Sequence, residues 1–243
     1  MLPTRKIDEQ ISLLFSVPFV FSEHLTKRED NQLRDKYDHN AFSYTGQPTA
    51  EEIRKALDYQ KARGDNFLKL DGYAPLDDSF GMEPDVTWTM VLPKDASIDG
   101  WKINPDVVVQ APDWEELEQH ELKYYGPLYG ESFTVRNNRR LREKLTYHGA
   151  YWGGKLVGSC YTYSADGYTC MDSLVVDSGH RHRYVATTLI QAIVKDARSQ
   201  GRVVFLHADE DDTPKEMYAR MGFQMVDRQY EYLCTDFSTL KLD

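Results

Sequence analysis

Arg181, His182 and Arg183 stand in a turn directly ahead of the strongest helical pattern in the chain. A helix start leaves several N–H groups unpaired and carries about half a positive charge. The segment running on through Tyr184, Val185, Ala186 and Thr187 therefore has the make-up of an anion cradle. It is neither a P-loop nor a dinucleotide fingerprint, because neither glycine pattern occurs. Two other residues could move protons. Tyr218 lies four residues before Gly222 and offers a phenol, and Asp172 offers a carboxylate on the strand pattern before the basic turn. His207 and Asp209 are weaker candidates just beyond the next apolar run. Each has a plainer reading: a solvated loop, a packed tyrosine, an edge carboxylate, a helix cap. No metal is expected. His180 and His182 lack carboxylate or thiolate company in their loop, and Cys160, Cys170 and Cys234 form no CxxC pair and no even disulfide framework.

Several elements along the chain must position these groups. Tyr168 to Val176 reads as a strand, and its alternation puts Asp172 on the face of Leu174 and Val176. Val185, Leu189, Ile190, Ile193, Val194 and Ala197 recur at helical spacing, ending at Gly201. Val203 to Leu206 is a continuous apolar run, as in a strand covered on both faces. Pro214 starts a short helix through Met217, Tyr218 and Met221, and strands are expected at 223–226 and 230–233. Earlier come helices over 113–124 and 132–145, then strands 148–152 and 155–163 joined by Gly153-Gly154. In the front part, Thr49 and Glu52 have capping-box spacing for a helix that stops at Gly64. Strands are expected at 67–70 and 87–92, on either side of a loop rich in Asp, Pro and Gly. The polar stretch Lys94–Pro105 sets a boundary near Ile103 and divides the chain into 1–103 and 104–243.

The order strand, basic turn, amphipathic helix, strand, short helix resembles the GNAT superfamily of acetyl-CoA-dependent N-acetyltransferases, from roughly Pro105 to the end. Leu174-Val175-Val176 ends the strand, and Arg181, Tyr184 and Ala186 occupy the family's Gln/Arg-x-x-Gly-x-Gly/Ala positions. Tyr218 to Phe223 is similar to its late Tyr-x-x-x-Gly-Phe, and the acidic run Asp209–Asp212 before Pro214 to a variant of bacterial members. The resemblance implies an α/β (α+β) GNAT fold, a mixed central sheet flanked by helices, preceded by a smaller α/β domain. It implies acetyl-CoA as co-substrate, held by Leu174, Val175, Val176, Arg181, His182, Arg183, Tyr184, Val185, Ala186 and Thr187, with Asp211 beside them. It makes Tyr218 the acid for the leaving thiolate, with Asp172 as candidate base. Tyr184 departs from the family's glycine. It keeps the backbone N–H but adds a side chain that must point away. The front part matches the order of the back half of a GNAT fold, as a degenerate half-copy would. The competing reading is an unrelated small domain covering the acceptor cleft.

The 243 residues carry a net charge of −10, and the acidity is shared. The part up to Ile103 has 13 basic and 18 acidic residues, the rest 16 and 21. Such a surface repels nucleic acid and anionic lipid and suits a cationic acceptor. No run approaches the ~18 apolar residues of a membrane span, and no secretory cleavage pattern follows the apolar run at 11–21. The chain reads as a cytoplasmic, bacterial-type enzyme, monomer or homodimer, that acetylates a primary amine of a small molecule. The alternative is a catalytically silent CoA-binding or interaction module.

Overall fold

The computed structural model describes residues 2–242. The front half comprises α1 (Pro3–Leu13), β1 (Val17–Val20), β2 (Leu25–Glu29), β3 (Phe42–Tyr44), α2 (Ala50–Arg63), β4 (Leu68–Gly72) and β5 (Pro84–Val91). Next come β6 (Val107–Gln110), α3 (Trp114–Tyr129), α4 (Glu131–Arg142), β7 (Thr146–Trp152), β8 (Lys155–Ala165) and β9 (Tyr168–Val176). The chain closes with α5 (Val185–Ser199), β10 (Val203–Asp209), α6 (Pro214–Arg220) and β11 (Gln224–Cys234). The local signals act as expected. Thr49 and Glu52 form a reciprocal capping box on α2, and Gly64 closes that helix in the left-handed conformation. The expected strands at 223–226 and 230–233 are one strand, β11, with a bulge between Met225 and Asp227. The apolar run at 11–21 divides between the end of α1 and the exposed edge strand β1.

The eleven strands of the described residues join one sheet in the order β1-β2-β3-β4-β11-β5-β10-β9-β8-β7-β6. Two pairs are parallel, β3 with β4 and β9 with β10, and each is bridged by a helix, α2 and α5 respectively. The strand after each parallel pair then crosses to the other half. β5 pairs antiparallel with β10, β11 pairs antiparallel with β4, and the two lie side by side at the centre. The sheet therefore does not divide at Ile103. The strand expected at 87–92 belongs to the middle of the back-half sheet, because an alternating pattern specifies a face and not a partner.

The cores follow the same exchange. On the back half, Val185, Leu189, Ile190, Ile193 and Val194 of α5 pack with Met171, Val204 and Leu206, and with Met90 and Leu92 from the front part. On the front half, Ile53 and Ala56 of α2 pack with Phe42, Leu68 and Leu70, and with Tyr232 and Cys234 of β11. Full burial of one such side chain contributes about 1.5–3 kcal/mol. Each core thus depends on residues supplied by the opposite end of the chain. Ile7 of α1 packs with Cys170 and Phe205 in a separate cluster. No helix among the described residues is long and apolar enough to cross a membrane.

Candidate active site

A cleft opens where β9 and β10 part. Their parallel ladder runs from Val203–Tyr168 to Leu206–Met171 and stops. Beyond it, β9 stays with β8 as far as Val176–Gly158, while β10 stays with β5 as far as Asp209–Thr87. The β9 side is bent by a bulge. The β8–β9 register slips between Ser159–Val175 and Tyr161–Asp172, and Ser173 sits at φ 53°. The extra residue inverts the alternation. Met171, Leu174 and Val176 all belong to the α5 core, whereas Asp172 pairs with Tyr161 on the opposite face, against the expected alignment with Leu174 and Val176. The Tyr161 hydroxyl donates to Asp172 Oδ2 at 3.1 Å, and the carboxylate is exposed. Val175 pairs with Ser159, and the Val176 carbonyl accepts from Arg181 Nε at 3.2 Å.

The turn from β9 into α5 leaves its amides free. His182 and Tyr184 have φ of 59° and 61°, and the first helical bond is Thr188 N–H to the Tyr184 carbonyl. The N–H groups of His182, Arg183, Tyr184, Val185, Ala186 and Thr187 donate to no acceptor among the described residues. No side chain caps the helix and its first turn has no acid. Successive unpaired amides in a left-handed turn, at the positive end of a 15-residue helix, form an anion-binding nest. The nest is held from outside. Asn104 Nδ2 donates to the Arg183 carbonyl at 3.0 Å, and the Asn104 N–H donates to Thr188 Oγ1 at 2.9 Å. Val185 is buried beneath it, Ala186 and Thr187 are half-buried, and Arg181, His182, Arg183 and Tyr184 are exposed. The Arg183 guanidinium lies 5.8 Å from the Trp152 ring centre.

The corresponding helix of the front half is closed. Glu52 accepts from the Thr49 and His24 N–H groups and from the Ser22 hydroxyl, so a carboxylate of the chain itself occupies the start of α2. Burial disfavours that charge, but the Ser22, Thr49 and His24 hydrogen bonds outweigh it and hold the Glu52 pKa at about 2. Of these two bridging helices, only α5 offers a free start.

Tyr218 of α6 reaches the α5 side of the sheet, edge-on to Phe223 at 5.9 Å. Its ring is buried, and its hydroxyl makes no hydrogen bond among the described residues. Burial, followed by the charge of Asp172, raises its pKa above that of an ordinary tyrosine. It is therefore a protonated phenol at neutral pH. Asp211 lies apart from the nest residues in sequence, exposed on the β10–α6 turn, with its N–H donating to Asp209 Oδ1 at 2.7 Å. Asp209 thus serves that turn. His207 is paired, its Nε2 lying 2.9 Å from Asp8 Oδ1. Burial opposes its charge, yet Asp8 and Cys170 together hold its pKa well above the ordinary histidine value. A cationic, paired imidazole is a poor base, which leaves Asp172 as the exposed candidate.

Sequence reasoning missed two groups. Asp8 shows no local pattern with its partners, because Cys170 and His207 lie far along the chain from α1. The other flanks the end of β9: Asp177 accepts from Lys123 Nζ at 2.7 Å and from the Tyr124 hydroxyl, while His120 Nδ1 is 3.2 Å from Ser159 Oγ. His120, Lys123, Lys155 and Asp177 line a concavity of about 500 Å³. Along α3, Glu115, Glu116, Glu118 and Glu121 stand with Lys123 in a charge run that reads as a solvated face.

An open parallel pair leading into an uncapped, amide-lined helix start gives this α/β fold a place for an anionic group. Residues 112–223 match the Acetyltransferase (GNAT) family, and this match supports membership of the GNAT superfamily. No curated protein matches the chain. Among solved structures it is similar to a functionally unknown conserved protein from Staphylococcus epidermidis, with TM-score 0.75 and 19% identity over 91% of this chain and 95% of that one. A GCN5-related N-acetyltransferase from Kribbella flavida gives TM-score 0.69 and 13% identity, over 98% of both chains. A tandem GNAT protein from the clavulanic acid biosynthesis pathway gives 0.55 and 16%, over 87% of this chain and 78% of that one. At these identities the likeness is one of fold. The family match supports acyl transfer as the general activity.

Proposed function

We propose that the chain transfers an acetyl group from acetyl-CoA to a primary amine of a small molecule. The observation that carries this reading is the uncapped start of α5 at the mouth of the β9–β10 cleft. Its free amides, with Arg181 and Arg183 beside them, suit a pyrophosphate, and the cleft suits an extended thiol-bearing arm. Transfer forms a bond between the amine nitrogen and the acyl carbon and breaks the carbon–sulfur bond. The nitrogen loses one proton and the departing thiolate gains one. Asp172, exposed and oriented by the Tyr161 hydroxyl, takes the first proton, directly or through water. Tyr218, whose hydroxyl has no hydrogen-bond partner among the described residues, supplies the second. The acidic surface favours a cationic acceptor over an anionic one.

A specific observation favours a second reading, a silent CoA-binding module: a tyrosine stands at the nest position where the family has glycine. Release of free thiol on mixing the protein, acetyl-CoA and a panel of primary amines separates the two. Turnover with an amine supports the transferase. Tight acetyl-CoA binding with no thiol release from any amine sinks it. Within an active enzyme, Tyr218→Phe lowers kcat by about 10²-fold and leaves acetyl-CoA affinity and stability in place. An unchanged kcat would return Tyr218 to a packing role.

A further inference from the structure

Asp8, Cys170 and His207 come from α1, β9 and β10, and their potential ligand atoms all lie within 4.8 Å of one another. We propose that these three side chains form a binding site for one borderline-soft divalent cation of the zinc type, which pins α1 to the sheet beside the cleft.

The donor set fits that class. A thiolate, an imidazole and a carboxylate are the ligand types zinc takes, at about 2.0–2.3 Å, with a fourth position left for water. Hard cations such as magnesium and calcium prefer an all-oxygen shell. Asp8 has capacity to spare: Oδ1 faces His207 Nε2, and Oδ2 is buried without a hydrogen-bond partner. A buried carboxylate oxygen with no donor is costly, and a cation would satisfy it. Cys170 is buried, while Asp8 and His207 keep side-chain exposures of 17% and 20%, so solvent reaches the cluster through those two residues. Ile7 and Phe205 pack around Cys170, and this apolar wall strengthens an ion–ligand interaction. Donors of a tetrahedral ion stand roughly 3.3–3.8 Å apart. His207 Nε2 and Asp8 Oδ1, 2.9 Å apart, would open by a few tenths of an ångström, and no other pair of donors exceeds 4.8 Å. Binding exchanges protons for metal: the thiol and the imidazolium each lose a proton to solvent, and the ion takes their place against the carboxylate.

The site has a structural consequence. α1 meets the sheet through few buried side chains, chiefly Thr4 and Ile7. A metal bond from Asp8 to β9 and β10 would couple that helix to the two strands whose parting forms the cleft.

The test uses the full-length protein freed of metal by a chelator. Zinc is titrated in competition with a chromogenic chelator, and cobalt is added to a second sample as a spectroscopic probe. One equivalent of zinc should bind at about micromolar affinity or tighter. Cobalt should give a thiolate-to-metal charge-transfer absorption. Cys170→Ser should abolish that absorption, and Asp8→Asn, which keeps the shape of the side chain, should weaken zinc binding at least tenfold. Absence of the thiolate band in the wild-type protein overturns the proposal, whatever the variants do. So does zinc binding that survives Cys170→Ser unchanged, which would place the ion on other groups and leave Asp8–His207 a simple ion pair.

Discussion

Tyr184 stands at φ 61°, ψ 17°, the left-handed conformation, at the start of α5. An L-residue there costs roughly 1–2 kcal/mol relative to the right-handed region, and glycine pays almost none of it. Tyr184→Gly removes that strain but frees the unfolded chain, an opposing cost of about 0.4–1 kcal/mol. The ring itself contributes little, since the residue is 46% exposed and its side chain makes no capping bond. The balance is a gain of about 0.5–1 kcal/mol, or a rise in Tm of ~2 °C for a chain this long. Tyr184→Ala is the control. It removes the same ring but keeps the strained Cβ, so it should stay within about 0.5 kcal/mol of wild type. The measurements are thermal melts of the three proteins, then acetyl-CoA titrations of each. Affinity should be highest for the glycine variant, because the amides on either side of position 184 lose the neighbouring side chain. A glycine variant less stable than wild type, or equal to the alanine variant in both measurements, would refute the assignment of strain to the nest.

Three further outcomes follow from the same geometry. Arg181→Ala and Arg183→Ala should each weaken acetyl-CoA binding by about tenfold or more, since a charge-assisted phosphate bond is worth about 1.5–3 kcal/mol, and should scarcely move the melting temperature of these exposed residues. A chain begun at Lys102 lacks β5, so β10 and β11 lose the strand between them. It should fail to give a cooperative melt, and a well-folded fragment would show that the strand exchange is dispensable. Lys27 is fully buried, its Nζ donating to the Asn40 carbonyl and Gln60 Oε1, and burial lowers its pKa to about 7. Between that value and the unfolded lysine value of about 10.4 the unfolded chain holds the extra proton, so stability should climb with pH across this window, by at most about 1.4 kcal/mol per unit. Lys27→Met should remove that slope, and an identical pH dependence in the variant would assign it to other groups.

The strand exchange bears on why the two halves differ. The front half has a parallel pair and a bridging helix like those of the back half, but Glu52 fills its helix start. One carboxylate at that position converts an anion-binding end into a self-capped one. The front half therefore supplies β5 to the working sheet and leaves the open nest to α5.

The elements that form the candidate site were legible in the sequence because they are local. A basic turn, a helical stripe from Val185 to Ala197 and a later Tyr-x-x-x-Gly-Phe occupy a short stretch, and their chemistry follows from backbone amides and side-chain types. Capping at Thr49 and Glu52 and the stop at Gly64 are likewise set by neighbours three or four residues away. What only the tertiary structure decided is non-local. The alternation of 84–91 says which residues face a core, not which core, so its place between β10 and β11 was open. A single inserted residue at Ser173 turned Asp172 to the other face, and strand periodicity alone carries no sign of a bulge. Asp8 met Cys170 and His207 because α1 packs over β9 and β10, a contact between residues separated by most of the chain. Local propensity acts over a turn or two of backbone, whereas strand partners and buried polar clusters are chosen by the free energy of the whole packed sheet.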